Sequence, residues 1–403
     1  MPSVASSSGT RAGDLSTAAT FASDAEFRFL LAAVRKPEEI SGELEEQAKS
    51  PLDWQRALRL AEHHGVMPPL YQTLCGVSKV IPQGILDELR ERYENNARRN
   101  LVFVTELIRV LDCLEAHGID AIPYKGPLLA EQVYGDLALR EFSDLDILVR
   151  PADVARATEA LKSLSYAPNL RLSRLQQRAY VRSGYECAFD GPLGKNLLEM
   201  QWAIVPRFFS VNFGVDEFFE HATFSEIGGR PVRTLSTEDL LLALCVHGAK
   251  HAWMRLCWLR DIAAVVQLPQ LDWHRVWTKA KELGVVRILG VSLTLAHRMA
   301  GASVPRDARE QVQTDAMIQE LSDRIALHIP ESEEYSTEAL EYFRLMMSLR
   351  ERASDRIRFT TRLAFTPSVG EWAVIGLPGP LFPLYRVVRL FRLAGRLLSP
   401  GSN

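Results

Sequence analysis

The segment YKGPLLAEQVYGDLALREFSDLDILVR, Tyr124 to Arg150, decides how the chain is interpreted. Its last part, Leu145 to Val149, is apolar at four of five positions and contains Ile and Val, which predicts a β-strand. Because side chains two apart on a strand share a face, we expect Asp144 and Asp146 side by side, about 7 Å apart along the backbone. Two carboxylates that close repel each other unless a cation lies between them.

Two interpretations of Asp144 and Asp146 follow from this spacing. The strand can simply end in two solvated acids, or the acids can hold Mg²⁺, which takes one or two carboxylates plus substrate phosphates. The turn Lys125-Gly126-Pro127 favours the second, because it precedes the acids in the same segment. Glycine lets the backbone approach a phosphate, the following helix offers free N–H groups, and lysine supplies a point charge.

This set of motifs resembles the polymerase-beta-type nucleotidyltransferase superfamily. Members carry a glycine-containing turn and helix, two acids on a strand, and a third carboxylate on a later strand. Lys125-Gly126, the segment from Tyr134 to Arg140 and Ser143-Asp144-Leu145-Asp146 look like the bacterial family described only as uncharacterised nucleotidyltransferases. The chain departs from the superfamily pattern in its longer loop and in having Lys-Gly where Gly-Ser is typical. The resemblance continues from Leu235 to Asp261 and into the C-terminal tail.

The resemblance implies a metal-dependent enzyme that moves a nucleoside monophosphate from an NTP, such as ATP, to a hydroxyl or similar acceptor. Asp144 and Asp146 would be catalytic metal ligands, with Glu199 as the third acid and Glu186 as the alternative. Two Mg²⁺ ions are implied, with Mn²⁺ as a substitute. Relatives often place His two residues after the third acid. This chain has Gln201 there, which leaves open whether a proton is shuttled at that position.

Nucleotide contacts are assigned to the residues around the two acids. Lys125 and Gly126 would position the triphosphate. Arg140, four residues before Asp144, is either a phosphate clamp or a counter-charge for the carboxylates. Ser143 either bonds a phosphate oxygen or ends the loop.

A further polar set falls in a predicted helix from Leu240 to Val266, which begins after the start signal Ser236-Thr237-Glu238-Asp239. The residues that helical spacing places on one face are His247, Lys250, His251, Met254, Trp258 and Asp261. HGAKH lacks the glutamate of a zinc protease motif, and its lysine would repel a metal ion, so we reject zinc. His247, Lys250 and His251 are expected to line an anion or substrate site, with a buried hydrogen-bonded core as the alternative. Asp261 is expected to be structural.

The composition excludes several classes of protein. A net charge of −3 and a pI near 6.3 argue against extensive contact with nucleic acid, which needs a basic surface. The cysteines show no CxxC spacing, which suits reduced thiols in the cytoplasm. The N-terminus lacks the order of a signal peptide, and no apolar run reaches the ~20 residues that span a bilayer. We therefore expect a cytoplasmic protein that binds an NTP and a small-molecule, peptide or protein acceptor.

The expected fold is α/β and helix-rich, with a small mixed sheet flanked by helical regions. Strands are predicted near 119–124, 144–150, 184–190 and 196–203, after a long helix from about Gly84 to His117. Either Asn96, Arg99 or Asn100 on that helix contacts substrate, or this polar stretch is only where the helix leaves the core before re-entering it. The predicted domains are a disordered N-terminus (1–20), an N-terminal helical region (21–118), a catalytic core (119–235), a C-terminal helical domain (236–350) and a tail (351–403).

The tail ends in a predicted amphipathic helix whose basic stripe consists of Arg386, Arg389, Arg392 and Arg396, opposite Leu390, Phe391, Leu397 and Leu398. Such a helix can lie on anionic lipid, bind a partner or pack on its own domain. The last of these is the commonest.

Two other functions stay open at this stage. One is an antitoxin-like protein that modifies and binds a toxin partner, which predicts a stable complex with that partner. The other is a catalytically inactive nucleotide-binding scaffold. The acids retained on all three strands speak against the scaffold, and this objection fails only if the paired Asp residues are salt-bridged to Arg140 with no cavity beside them.

Overall fold

A five-stranded mixed sheet forms the centre of the computed structural model, which describes residues 24–35, 41–170, 172–331, 340–367 and 369–398. The strands are β1 (Ala121–Pro123), β2 (Leu145–Val149), β3 (Ala167–Pro168), β4 (Glu186–Gly191) and β5 (Gly194–Gln201). Their order is β1-β2-β5-β4-β3. β2 and β5 pair in parallel, and the other pairs are antiparallel. The predicted helix-rich α/β class is confirmed, and the four predicted strands correspond to β1, β2, β4 and β5.

The register of this sheet places its acids on one face. Asp146 on β2 lies directly opposite Glu199 on β5, and Gln201 lies opposite Glu186 on β4. Paired residues on neighbouring strands point to the same side of a sheet. Ile147, Leu198 and Met200 therefore turn the other way and are fully buried.

Capping residues mark the bounds of two of the helices that precede the sheet. They are α1 (Ala25–Val34), α2 (Ser41–Lys49), α3 (Trp54–His64), α4 (Met67–Gly76) and α5 (Gln83–Ala116). Asp24 and Asp53 accept the capping hydrogen bonds of α1 and α3, and Gly65 ends α3 in the left-handed conformation with φ +64°. The predicted disorder of residues 1–20 lies outside the described residues.

The remaining helices lie within and after the sheet. Those within the strand region are α6 (Gly126–Tyr134), α7 (Val154–Lys162), α8 (Arg174–Ser183) and α9 (Val215–Glu220). The hairpin β6 (Thr223–Ile227) and β7 (Arg230–Thr234) follows α9. The later helices are α10 (Thr237–Lys250), α11 (Leu256–Val266), α12 (Trp273–Leu283), α13 (Val286–Ala300), α14 (Arg306–Gln313), α15 (Ala316–His328), α16 (Leu340–Ser348), α17 (Ala353–Phe365), α18 (Val369–Val374) and α19 (Tyr385–Leu398). No helix in the described part of the chain has both the length and the apolar character that a membrane crossing requires.

Two hydrophobic cores lie on opposite sides of the sheet. One contains α5 residues such as Leu107 together with Ile147 and Met200. The other joins the N-terminal helices to the C-terminal helices, and it includes Leu148 from β2. The face that carries Asp146 is therefore turned toward the C-terminal helices. The domain boundaries stay a prediction.

The single helix predicted from Leu240 to Val266 is wrong. The structure has two helices, α10 and α11, because Ala252 and Trp253 adopt left-handed backbone conformations with φ +50° and +53°. Trp253 is fully buried, packs against Gly248 and donates from Nε1 to Ser292 Oγ at 2.9 Å. Burial of this large indole outweighs the helical preference of the local sequence.

The C-terminal helix α19 packs on its own protein through part of its basic stripe. Arg389 lies 3.5 Å and Arg392 3.2 Å from a carboxylate oxygen of Glu371, which is fully buried. Phe391 is 74% exposed on the outward side. The side chains of Arg396, Leu397 and Leu398 lie outside the described residues. Of the three possibilities considered for this helix, the described contacts support packing on its own protein.

Candidate functional site

A cavity of about 480 Å³ lies over the polar face of the sheet. Of the residues proposed from the sequence, those that line it are Asp144, Asp146, Glu199, Lys125, Arg140, Ser143, His247, Lys250 and His251. Gly126 does not line it, but a Cβ at this residue would lie 3.2 Å from the carbonyl oxygen of Asp144. With φ +56°, Gly126 allows the turn to pack closely behind that acid.

The carboxylates at the floor of the cavity are tied together by two neighbouring side chains. Lys125 Nζ lies 3.1 Å from Asp146 Oδ1, and both side chains are at least nine-tenths buried. Gln201 Nε2 donates to Asp146 Oδ1 at 2.9 Å and to Glu199 Oε2 at 3.3 Å. The Tyr124 hydroxyl donates to Gln201 Oε1. Gln201, the residue that departs from the family pattern, therefore bridges two of the proposed metal ligands.

Burial and crowding raise the pKa values of Asp144 and Glu199. Burial, and then the charge of Asp146, raise the pKa of Asp144 to about 6. Burial, and then the charge of Glu186, raise the pKa of Glu199 to about 7. Both values mean that the ionised carboxylates are less stable here than in water. A cation bound among them would remove this penalty.

We expect Glu199→Gln to stabilise the protein at pH 8 and to change its stability little at pH 4.5. The folded pKa of Glu199, about 7, lies above the ordinary value of 4.5, so the folded state favours the protonated form. The stability that this protonated group contributes is complete below pH 4.5 and is lost as the pH rises through 7, by about 3 kcal/mol. Melting temperatures of both proteins between pH 4.5 and 8, recorded in EDTA, measure this difference.

Glu159→Gln is the matched control, because the Glu159 side chain is 74% exposed on α7, away from the cavity. Its melting temperature should follow that of the wild type at each pH. A stability difference between Glu199→Gln and wild type that is the same at pH 4.5 and pH 8 would contradict the raised pKa.

Arg140 is held by Asp261 and not by the paired acids. Its Nε and Nη2 lie 3.0 Å from Asp261 Oδ1 and Oδ2, and Tyr134 Oη donates to Asp261 Oδ1 at 2.9 Å. Its ion pair is therefore with Asp261, while its charge also acts, less strongly than burial, to lower the pKa of Asp144. Its Nη1 atom is buried and has no hydrogen-bond partner among the described residues. That donor is available for a bound anion.

The polar stretch of α5 positions this arginine. Asn96 and Asn100 donate to the backbone carbonyl of Arg140 at 3.2 and 2.9 Å, and they also bond the carbonyls of Ala138 and Leu137. Both asparagines are buried. Their role is thus to hold the loop before Asp144. Arg99 lines the cavity itself.

Aromatic and basic side chains from α10, α11 and the turn between them form the opposite wall. The rings of His247 and His251 lie 5.4 and 5.0 Å from that of Trp258. Burial, followed by nearby lysines, lowers the pKa of His251 to about 3 and that of His247 well below its ordinary value. Both imidazoles are therefore neutral at pH 7 in the free protein. Lys250 Nζ donates to Tyr185 Oη at 2.9 Å.

Sequence reasoning missed several lining residues, including Tyr185, Arg255 and Cys257, and it placed Glu186 second to Glu199. Alternation along β4 was a usable signal for Glu186, since Glu186 and Ala188 share a face. No local signal marked Arg255, which follows the break between α10 and α11 and lies 5.9 Å from the Trp258 ring.

The donor chemistry of the floor fits Mg²⁺. Asp144, Asp146 and Glu199 offer carboxylate oxygens, the ligands that this ion prefers, and burial and neighbouring acids raise the pKa values of Asp144 and Glu199. Within the described ranges, however, no three His, Cys, Asp or Glu side chains are already arranged to hold a metal ion. Asp146 Oδ1 is engaged by Lys125 and Gln201. Metal binding by these acids stays a prediction.

Comparison with known proteins gives one match. A family model described as uncharacterised nucleotidyltransferase covers residues 50–301, which is more than half of the 403-residue chain. No curated protein and no solved structure matches. The matched range contains α3 to α13 and therefore every residue that lines the cavity.

Proposed function

The chain belongs to the family of uncharacterised nucleotidyltransferases, and we propose that it transfers a nucleoside monophosphate from an NTP to a hydroxyl of a small molecule, peptide or protein. One observation carries the proposal. Asp146 and Glu199 face each other across parallel strands, with Asp144 beside them, at the floor of a cavity whose other wall is basic. Negative charge on one side suits metal ions, and positive charge on the other suits phosphates.

Asp144, Asp146 and Glu199 are the residues that would hold Mg²⁺. Bound there, two Mg²⁺ ions would lower the pKa of an acceptor hydroxyl and neutralise charge on the triphosphate. The three acids come from two adjacent strands and the residue before one of them. Their relative positions are thus fixed by the sheet and not by a mobile loop.

Glu199 is the candidate general base. Its carboxylate lines the cavity, and among the described residues only its Oε2 is engaged, by Gln201. The acceptor oxygen would form a bond to the α-phosphorus as the bond from that phosphorus to the β-phosphate oxygen breaks. The acceptor proton passes to Glu199, and pyrophosphate leaves with both electrons of the broken bond.

Cationic and polar side chains around the cavity would orient the triphosphate. Lys125 and Lys250 offer ammonium groups, and Arg140 offers a buried N–H donor that has no partner among the described residues. Ser143 is the exposed member of the loop before Asp144 and can donate its hydroxyl to a phosphate oxygen. His247 and His251, neutral in the free protein, can accept or donate hydrogen bonds there.

The alternatives gain no support from the site. The retained acids speak against an inactive scaffold, and this objection stands because Arg140 pairs with Asp261 and a cavity lies beside the acids. No feature of the described surface favours the antitoxin-like role over transfer to another acceptor.

Calorimetric titration of ATP, GTP, CTP and UTP tests the proposal directly. With Mg²⁺ present, we expect at least one nucleotide to bind with a Kd in the micromolar range, and we expect EDTA to weaken that binding by about 100-fold. The preferred base would then guide a search for the acceptor with α-labelled nucleotide. If no nucleotide binds to folded protein at millimolar concentration, nucleotidyl transfer is excluded as stated.

A further inference from the structure

Lys125 occupies a position that the proposed chemistry assigns to a metal ion. Its ammonium group lies 3.1 Å from Asp146 Oδ1, and its side chain is only 10% exposed. The same oxygen accepts from Gln201. In the free protein, one of the three proposed metal ligands is therefore already neutralised by a cation from the chain.

The charge on Lys125 is maintained in this environment. Its ion pair holds the ammonium group against the Asp146 carboxylate, and Asp144 and Glu199 line the same cavity. A divalent cation that approached Asp146 would be repelled by this ammonium group at close range.

Lys250 provides a useful contrast within the same cavity. Its ammonium group donates to the hydroxyl of Tyr185 at 2.9 Å. No carboxylate of the described residues forms a salt bridge with it within 4.0 Å. Burial lowers the pKa of Lys250, whereas that of Lys125 is raised. The two lysines thus share the cavity, but only Lys125 sits on a proposed metal ligand.

We propose that Lys125 blocks Asp146 to metal until a triphosphate enters, and that its ammonium group then moves from Asp146 to a phosphate oxygen and frees the carboxylate. This inference rests on the proposed function. The Lys125 side chain can make the move because it leaves the turn before α6 on a flexible four-carbon stem. Nucleotide and metal consequently bind with positive cooperativity, and by linkage each strengthens the other by the same factor.

Two affinities of Lys125→Met, measured on the full chain, test this inference. Without nucleotide, Mn²⁺ binding followed by electron paramagnetic resonance should be about tenfold tighter than in wild type, a factor within the usual range of coupling between sites. With Mg²⁺ present, binding of the preferred NTP should be about tenfold weaker, because a phosphate contact is lost. A lysine with only a structural role would weaken both affinities.

Variants of two other lysines distinguish specific blocking of Asp146 by Lys125 from a general effect of positive charge near the site. Lys250→Met removes a cation from the same cavity and should tighten nucleotide-free Mn²⁺ binding by no more than about threefold. Lys195→Met, on the exposed start of β5, should leave it unchanged. Lys125→Gln is measured alongside, because it keeps a hydrogen-bond donor toward Asp146 and guards against misfolding of the methionine variant.

Each outcome is decisive. Nucleotide-free Mn²⁺ affinity in Lys125→Met that equals wild type, or that rises no more than in Lys250→Met, overturns the inference and leaves the proposed function standing. Failure of wild type to bind any nucleotide overturns the proposed function and this inference together. Tighter Mn²⁺ and weaker nucleotide binding in Lys125→Met alone support the blocking role.

Discussion

Asp144→Asn is expected to lower the affinity for Mg²⁺–NTP by at least about 100-fold and, at the same time, to stabilise the free protein. The first effect follows because the variant loses a charged metal ligand, and losing one partner of a buried charge interaction costs about 3 kcal/mol. The second follows because the pKa of Asp144, about 6, shows that its ionised form is disfavoured in the fold. Calorimetry with Mg²⁺–NTP and thermal melting at pH 7.5 measure the two effects.

The opposite signs make this prediction specific. Asp144 forms no salt bridge with another described side chain, so the amide removes repulsion without breaking a stabilising pair. Asp146→Asn should lose nucleotide binding to a similar extent without the gain in stability, because Lys125 loses its partner. Asp307→Asn, on the exposed first turn of α14, should change neither quantity. An Asp144→Asn protein that binds Mg²⁺–NTP like wild type would remove Asp144 from the metal site.

The sequence was sufficient for the parts of the site that depend on local patterns. Apolar residues predicted the strands β2 and β5, and with the family resemblance they allowed Asp144, Asp146 and Glu199 to be named before the structure was known. The turn at Gly126 likewise predicted a strand-to-helix junction, and α6 begins at this residue. Period-two and capping signals concern neighbouring residues, which is why they can be read from one chain.

Pairings between distant segments could not be predicted in this way. Arg140 and Asp261 are 121 residues apart, and only the packing of α11 against the loop before β2 brings them together. The register that sets Asp146 opposite Glu199 depends equally on how β5 docks against β2. The roles of the asparagines on α5 become visible only when the carbonyl groups that they bond are in place.

Other differences arose where tertiary packing overrode a local pattern. The periodicity from Leu240 to Val266 is helical throughout, yet burial of Trp253 breaks it and redirects α11. The hairpin of β6 and β7 was not predicted, although its sequence offered a signal. Gly228-Gly229 is a recognisable turn between two strand patterns. The two-residue strand β3 is too short to carry a pattern.

The Arg140–Asp261 pair is the second place where a large effect is expected. Asp261→Asn should lower the free energy of unfolding by about 3 kcal/mol, because it leaves the buried Arg140 guanidinium without a counter-charge. The amide can still accept the hydrogen bond from Tyr134, so the loss reports on charge and not on packing. Denaturant titration with Mg²⁺-free protein measures it.

The double variant Arg140→Met/Asp261→Asn separates the structural role of this pair from its role in binding. Removing both charges should restore most of the stability, since a buried ion pair often contributes little net over an uncharged replacement. Nucleotide affinity should nevertheless stay about tenfold below wild type, because the unpartnered Nη1 donor of Arg140 is gone. If the double variant recovers both stability and nucleotide affinity, Arg140 does not contact the triphosphate. Its ion pair with Asp261 would then serve only to hold α11 against the loop that carries Asp144.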